Sequence, residues 1–354
     1  MASEYDQLCD FQNLYSAHKA ARRGKRGKLE VIDFEMNLAA NLCKLQTALT
    51  NKTYTPKGYN HFKIYEPKER EIFAPSYADR VVQHCLCDNI LMPALETRLI
   101  FDNAACRKNK GTHFAMNRLV GFMRDVYRVY GTQAYFLKCD IRKYFENIDH
   151  VVLKKKLYKI WGNTDVWTLL IKIIDSYENT LDVGLPLGNQ TSQWFALYYL
   201  DGVDRLIKEK LQIKYYSRYM DDSVLIHHSK EYLMQCLSQI QDVCENDLHI
   251  QLNDKTQIFP IKNGVDYLGW HFYLTDTGKI IRKLRTSNKT ALKRRIKKSA
   301  KDYHDYSTEM DSISRSAVST YGHLKHGHTY RLRNKLSWET VYSRTQHRDE
   351  TMED

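Results

Sequence analysis

The stretch "SRYMDDSVLI", residues 217–226, decides how the rest of the chain is read. Apolar strand formers flank two adjacent carboxylates, Asp221 and Asp222. The alternation predicts a β-hairpin with the pair at its tip. Neighbouring carboxylates repel each other, and burying them costs free energy unless a positive charge lies close by. A D-D dipeptide taken alone is an ordinary polar turn, so its surroundings have to show whether a cation belongs there.

Upstream, "AYFLKCDI", 134–141, alternates and predicts a strand that ends at Asp140. Helical spacing follows at 150–178. "GLPLGNQTSQ", 184–193, reads as a Gly-rich loop, and "WFALYYLDGVDRLIKEKL" continues it as a helix. Downstream, 230–248 is helical, and "HIQLNDKTQIF" and "DYLGWHFYL" are β-like. The chain from about 280 reads as basic and helical. Towards the N-terminus the pattern predicts helix over 5–50 with a basic break at 19–28, a hairpin at 59–75, helix at 77–96, and a basic loop feeding a helix at 106–127. Strands alternating with helices and carrying a hairpin suit an α+β sheet with helices on one face. Such a sheet brings the end of 134–140 beside the hairpin tip and sets Asp140 close to Asp221 and Asp222. Three carboxylates at strand ends can hold two divalent cations, because Mg2+ prefers a few carboxylates plus substrate phosphates to a full protein cage. Two such ions about 3.5–4 Å apart serve an in-line phosphoryl displacement.

Composition agrees with that chemistry. A hydrophobic share of 43% in 354 residues is enough for a sizeable core. A net charge of +12 favours a polyanionic partner. The charge is clustered: 282–301 holds ten Lys or Arg and no acid, and "KAARRGKRGK", 19–28, holds six and no acid. Both runs are interleaved with helix formers and read as nucleic-acid contacts. Eight cysteines without a C-x-x-C spacing read as reduced thiols of a cytoplasmic protein. His84, Cys85 and Cys87 match no common zinc pattern, and His323, His326 and His328 in the tail read as part of a helix pair that touches nucleic acid rather than as a metal site. No signal peptide or 18-residue apolar run is present, so no membrane partner is expected.

With "KCDIRKYFENIDH" before, "GLPLGNQTSQ" between and "YMDD" after, the chain resembles the reverse transcriptase family over roughly residues 60–275. The resemblance implies a right-hand polymerase with fingers, a ferredoxin-like palm sheet and a helical thumb. It implies an N-terminal extension with fingers at 1–60, fingers at 61–133, palm at 134–275 with fingers helices near 150–180, and thumb plus acidic tail at 276–354. Asp140, Asp221 and Asp222 fall on the catalytic carboxylates, and the Ile141 carbonyl on a further ligand of two Mg2+ ions, for which Mn2+ can substitute. Phe145 falls on the sugar gate that favours dNTP. Lys68 and Arg70 match the basic residues that clasp the triphosphate, with Arg107, Lys108 and Lys110 a looser match. Lys255 matches a general acid for leaving pyrophosphate. Leu187, Gly188 and Gln193 lie in the loop that checks the nascent base pair. Tyr267 and Trp270 match a primer-gripping hairpin or are core aromatics. Arg282, Lys293, Arg294 and Lys297 would hold the duplex. Template RNA and nascent cDNA are the implied partners.

The 187–193 loop departs from the family's Q-G-x-x-x-S-P, with Leu187 for Gln and Gln193 for Pro. That version resembles the bacterial or phage-encoded reverse transcriptases of diversity-generating retroelements, which copy a template RNA with errors at adenines and work with a small basic oligomeric accessory protein. Losing an amide where the base pair is checked would weaken discrimination by about 0.5–1.5 kcal/mol. A phage-defence reverse transcriptase with a dedicated noncoding RNA is the alternative role. A catalytically silent RNA-binding scaffold and an RNA-templated RNA polymerase are alternatives of other kinds, disfavoured by the intact carboxylates and by Phe145.

Overall fold

The computed structural model describes residues 3–65, 69–177, 182–304 and 310–336. The order of elements is α1 (Phe11–Ala21), α2 (Leu29–Met36), α3 (Leu38–Thr50), β1 (Tyr59–Ile64), β2 (Arg70–Pro75), α4 (Tyr77–Leu86), α5 (Met92–Glu96), α6 (Thr112–Tyr130), β3 (Tyr135–Cys139), α7 (His150–Trp161), α8 (Asp165–Asp175), α9 (Gln190–Tyr199), α10 (Asp201–Arg205), β4 (Tyr215–Tyr219), β5 (Asp222–His227), α11 (Lys230–Asp242), β6 (Gln257–Pro260), β7 (Val265–Tyr267), β8 (Trp270–Leu274), β9 (Ile280–Leu284), α12 (Thr286–His304) and α13 (Met310–Leu324). The class is α+β, as expected. The strands form a β1-β2 hairpin, a four-stranded sheet in the order β4-β5-β3-β6, and a three-stranded sheet β7-β8-β9.

The chain divides into two compact units, Met1–Gly111 with Lys138–Val224 and Glu231–Gln257, and Thr112–Leu137 with Leu225–Lys230 and Ile258–Asp354. In the first, α4 packs against α1 and α9, and Trp161, Phe195, Tyr199 and Tyr216 are buried. Side-chain caps set its helix starts where orphan N–H groups need acceptors: Ser76 for α4, Asp149 for α7 and Thr164 for α8. In the second unit, Trp270, Phe272 and Tyr267 are fully buried. Leu292, Leu324 and Leu336 form a separate apolar cluster with Leu284, Ile296 and Leu332. Among the described residues no helix is long and apolar enough to cross a membrane, and all eight cysteines are unpaired.

Three local readings are corrected. Residues 280–284 are strand β9, paired antiparallel with β8 from Trp270↔Leu284 to Leu274↔Ile280, rather than the start of a basic helix; the apolar pair Ile280 and Ile281 together with a neighbouring strand outweighs the surrounding charge. Helix α9 begins at Gln190, so Gln193 is helical and not part of a loop. The β-like stretch at 249–256 forms a single bridge, Ile141↔Leu252, before β6 begins.

Two glycines show opposite constraints. Gly188 has φ +135°, and a Cβ there would lie 2.8 Å from the Phe73 carbonyl oxygen. Gly121 sits inside α6, and a Cβ there would meet nothing within 4 Å. Gly121→Ala is therefore expected to stabilise the protein by about 0.5–1 kcal/mol, and Gly188→Ala to destabilise it by more than about 1 kcal/mol. Urea unfolding of both variants checks the opposite signs.

Candidate active site

The hairpin of β4 and β5 turns at Met220 and Asp221. Met220 has φ +57°, a left-handed conformation that costs a side-chain-bearing residue about 1–2 kcal/mol. Arg218, only 2% exposed, braces that turn. Its Nε and Nη2 donate to Asp204 Oδ1 and Oδ2 at 2.8 and 2.6 Å, and Nη1 donates to the Met220 carbonyl at 2.8 Å. Nη2 also reaches the Leu197 carbonyl at 3.0 Å, and the Tyr216 hydroxyl donates to Asp204 Oδ1 at 2.7 Å. Burial opposes the guanidinium charge, but the Asp204 carboxylate more than offsets it and the Arg218 pKa is raised. On the backbone, Arg218 N–H donates to the Asp102 carbonyl and its own carbonyl accepts from Ala104, so residues 102–104 cover the outer edge of β4.

Asp140 follows β3 and is fixed from the other side. Its carbonyl accepts from Asn253 N–H at 2.7 Å, and its N–H donates to Thr256 Oγ1 at 3.4 Å. Arg142 N–H donates to the Gln251 carbonyl at 2.9 Å. This lacing places the exposed Lys255 on a short loop whose flanking residues are both bonded to Asp140. The three carboxylates interact. Burial raises the Asp221 pKa and Asp140 adds to it, while Arg70 and Arg218 pull it down. Burial pushes Asp222 up to about 6; Lys138 counters this, and Asp140 and Asp221 reinforce it. The Lys138 ammonium lies 3.2 Å from Asp222 Oδ1 and donates to Oδ2 at 3.4 Å. Oδ1 is buried, with the Lys138 ammonium as its ion-pair partner.

Around these groups, Arg70 opens β2 and its charge reaches Asp221; Lys68 lies outside the described residues. Phe145 is half-buried in the 3-10 turn Tyr144–Asn147, entered through Lys143 at φ +46°. Its carbonyl accepts from Leu185 N–H at 2.7 Å. The Leu187 carbonyl accepts from Phe73 N–H at 2.9 Å, which ties the 187–188 turn to β2. Gln193 Oε1 accepts from the Cys106 thiol at 3.4 Å.

The sequence model of one protein family, described as reverse transcriptase (RNA-dependent DNA polymerase), matches residues 66–272, well over half of the chain. The chain belongs to the reverse transcriptase family. Its fold is accordingly the polymerase fold of that family. Comparison with curated proteins yields no match. Among solved structures, the chain is similar to telomerase from Candida albicans in complex with a TWJ fragment of telomeric RNA, at 13% identity and a TM-score of 0.48, over 66% of this chain and 46% of that one. It is likewise similar to apo telomerase from Candida tropicalis truncated from its C-terminal domain, at 13% identity and 0.47, over 66% and 58%. The chain thus spans about half the length of these telomerase chains.

In the second unit of this reverse transcriptase family member, the side chains of Tyr267 and Trp270 are 1% and 0% exposed. They are core aromatics, and a contact between their rings and nucleic acid is not what this packing presents. The turn between them, Leu268 at φ +50° and Gly269 at φ +85°, is the part left at the surface. Arg282 is half-buried on β9, bonded to Asn117 Oδ1 at 3.4 Å. Lys293, Arg294 and Lys297, with Thr290, line a shallow depression on α12.

A tight group of three metal-capable side chains occurs elsewhere, at His150, Asp175 and Asp182, whose ligand atoms lie within 4.8 Å of one another. His150 Nε2 is 2.6 Å from the Gly184 carbonyl, and Asp175 pairs with Lys154 at 2.5 Å, so these groups already have partners. Two residues were missed in the sequence. Lys138 precedes Asp140 by two, a spacing that projects both to one face of a strand. Arg218 is a lone charge inside a buried strand pattern, which calls for a buried partner.

Arg218→Met leaves Asp204 charged and buried, and is expected to cost about 3–5 kcal/mol. Adding Asp204→Leu should recover much of that loss. Urea titration of the single and double variants measures both.

Proposed function

We propose that this protein is an RNA-directed DNA polymerase whose reaction centre is Asp140, Asp221 and Asp222. The observation that carries this is the placement of Asp140 at the end of β3, beside β5 in one sheet, which opens at Asp222 with Asp221 at the turn before it, inside the segment that matches the family. The donor set fits a hard divalent cation. It is all oxygen, it is partly buried, and the buried Asp222 Oδ1 faces only the Lys138 ammonium among the described contacts. Asp140, Asp221 and Asp222 with the Ile141 carbonyl would hold two Mg2+ ions, with Mn2+ as a substitute. Such ions activate the attacking hydroxyl and stabilise charge on the leaving group.

In the proposed reaction the primer 3′-oxygen forms a bond to the α-phosphorus of a dNTP and the bond to the β-phosphate oxygen breaks. Arg70, and Lys68 beyond the described residues, neutralise the triphosphate. Lys255 gives a proton to the departing pyrophosphate as general acid. Phe145 crowds a ribose 2′-hydroxyl. We assign the fingers to 61–133 with the N-terminal extension before them, the palm to 134–275 and the thumb to the chain from 276. Arg282, Lys293, Arg294 and Lys297 would meet the backbone of the template RNA–cDNA duplex.

The finer reading is a diversity-generating role with errors at template adenines, a dedicated template RNA and a small basic accessory protein. Leu187 supports it, since an aliphatic side chain on the turn held against β2 offers no amide to the nascent base pair.

Purified protein given Mg2+, dNTPs and a primed mixed-sequence RNA, beside an Asp221→Ala, Asp222→Ala control, is expected to make templated DNA whose errors concentrate opposite adenine. Faithful DNA would move the role to phage defence or another cellular task. No more DNA than the control, with the native RNA supplied, would return the protein to a silent RNA-binding scaffold. Phe145→Ala is expected to admit rNTP with at least a tenfold loss of sugar discrimination, about 1.4 kcal/mol. Competition between dNTP and rNTP on one template reads it, and unchanged discrimination removes Phe145 as the gate.

A further inference from the structure

We propose that Lys138 is a built-in counter-cation of the carboxylate cluster. It holds Asp222 while no divalent ion is bound, competes with the incoming ion, and so sets how much free metal the protein needs. The inference rests on the carboxylate reading given above and adds a residue that reading does not use.

The geometry comes from the strand pattern. Lys138 lies on β3 two residues before Asp140, so both project to one face. In the sheet order β3 is the neighbour of β5, whose first residue is Asp222. The Lys138 ammonium therefore arrives at Asp222, 3.2 and 3.4 Å from its two oxygens. Both side chains are shielded, Lys138 at 22% and Asp222 at 26% exposure. Shielding matters because a charge pair in a medium of low effective dielectric interacts several times more strongly than in water.

The ammonium lies 3.2 Å from Asp222 Oδ1 and donates to Oδ2 at 3.4 Å, so it stands against both oxygens of the carboxylate. A divalent ion held by the same carboxylate would have to share those oxygens with it. Lysine suits such a role better than arginine. Its ammonium is a compact point charge on a flexible stem and can withdraw, whereas a guanidinium fork would lock the carboxylate through two parallel bonds. The outcome is a cluster whose charge is partly offset until a divalent ion arrives.

The test titrates Mn2+ into the full-length protein without nucleotide or nucleic acid, reading free Mn2+ by electron paramagnetic resonance and the thermal midpoint in parallel. Lys138→Met removes the competing charge and is expected to bind Mn2+ roughly tenfold more tightly. Its metal-free midpoint should be lower and its metal-induced rise larger than in the wild type. Lys138→Gln keeps a hydrogen-bond donor without the charge, and should show the same tightening if the Met variant does not fold. Lys138→Arg should show no tightening. Unchanged or weaker Mn2+ binding in the charge-free variants would overturn the proposal and leave Lys138 as a structural partner. Asp140→Asn and Asp221→Ala separate the two ideas: if they bind Mn2+ as the wild type does, the carboxylate reading fails, whatever Lys138 does.

Discussion

A guanidinium buried on a strand needs an acceptor at each nitrogen, and Arg218 finds them in a way that shapes the site. One side of it is matched by both oxygens of Asp204, with Tyr216 closing the remaining lone pair. The other side donates to the Met220 carbonyl. A residue with a side chain would not choose the left-handed turn at Met220 without help. The same cation that is neutralised in the core therefore fixes the turn that aims Asp221 and opens β5 at Asp222. Neither partner of the pair can be given up alone, because removing one strands the other in a region without water.

The second constraint acts on Asp140. Its own backbone is bonded on both edges to residues 253 and 256, so the loop bearing Lys255 cannot move independently of the carboxylate. Two carboxylates come from a hairpin held by a buried ion pair, and one comes from a strand end held by a loop ladder. Repulsion among the three is thus resisted by backbone on both sides. Rigid backbone is what preserves a site whose side chains would otherwise move apart.

How much of this was legible in the sequence depends on the range of the interaction. Asp140, Asp221 and Asp222 were legible because strand alternation and short motifs are local signals. So were most of the helices, since their caps and apolar spacing are also local. Strand β9 was hidden because its partner β8 had to be known before its two isoleucines could outweigh the basic run around them. Tyr267 and Trp270 were ambiguous because aromatic residues on a strand look the same whether they face a ligand or a core, and only their burial decides. Arg218 and Asp204 lie 14 residues apart, with nothing between them in the pattern to announce a pair. Lys138 meets Asp222 across 84 residues of sequence, beyond the reach of any local pattern.

Charge balance links these elements. The cluster of three carboxylates is opposed within the described residues by Lys138 at Asp222 and by the reach of Arg70 and Arg218 to Asp221. Each of these cations is placed differently. Arg218 is consumed by Asp204, so its effect on Asp221 is a fixed background. Arg70 is exposed at the start of β2 and remains available to a polyanion. Lys138 faces the carboxylates themselves. On the proposed polymerase reading, a triphosphate with its metal ions would meet a background cation in Arg218, a surface cation in Arg70 and an inner cation in Lys138. Mg2+ favours this division, because it accepts only a few protein carboxylates and leaves the remaining positions to water and phosphate.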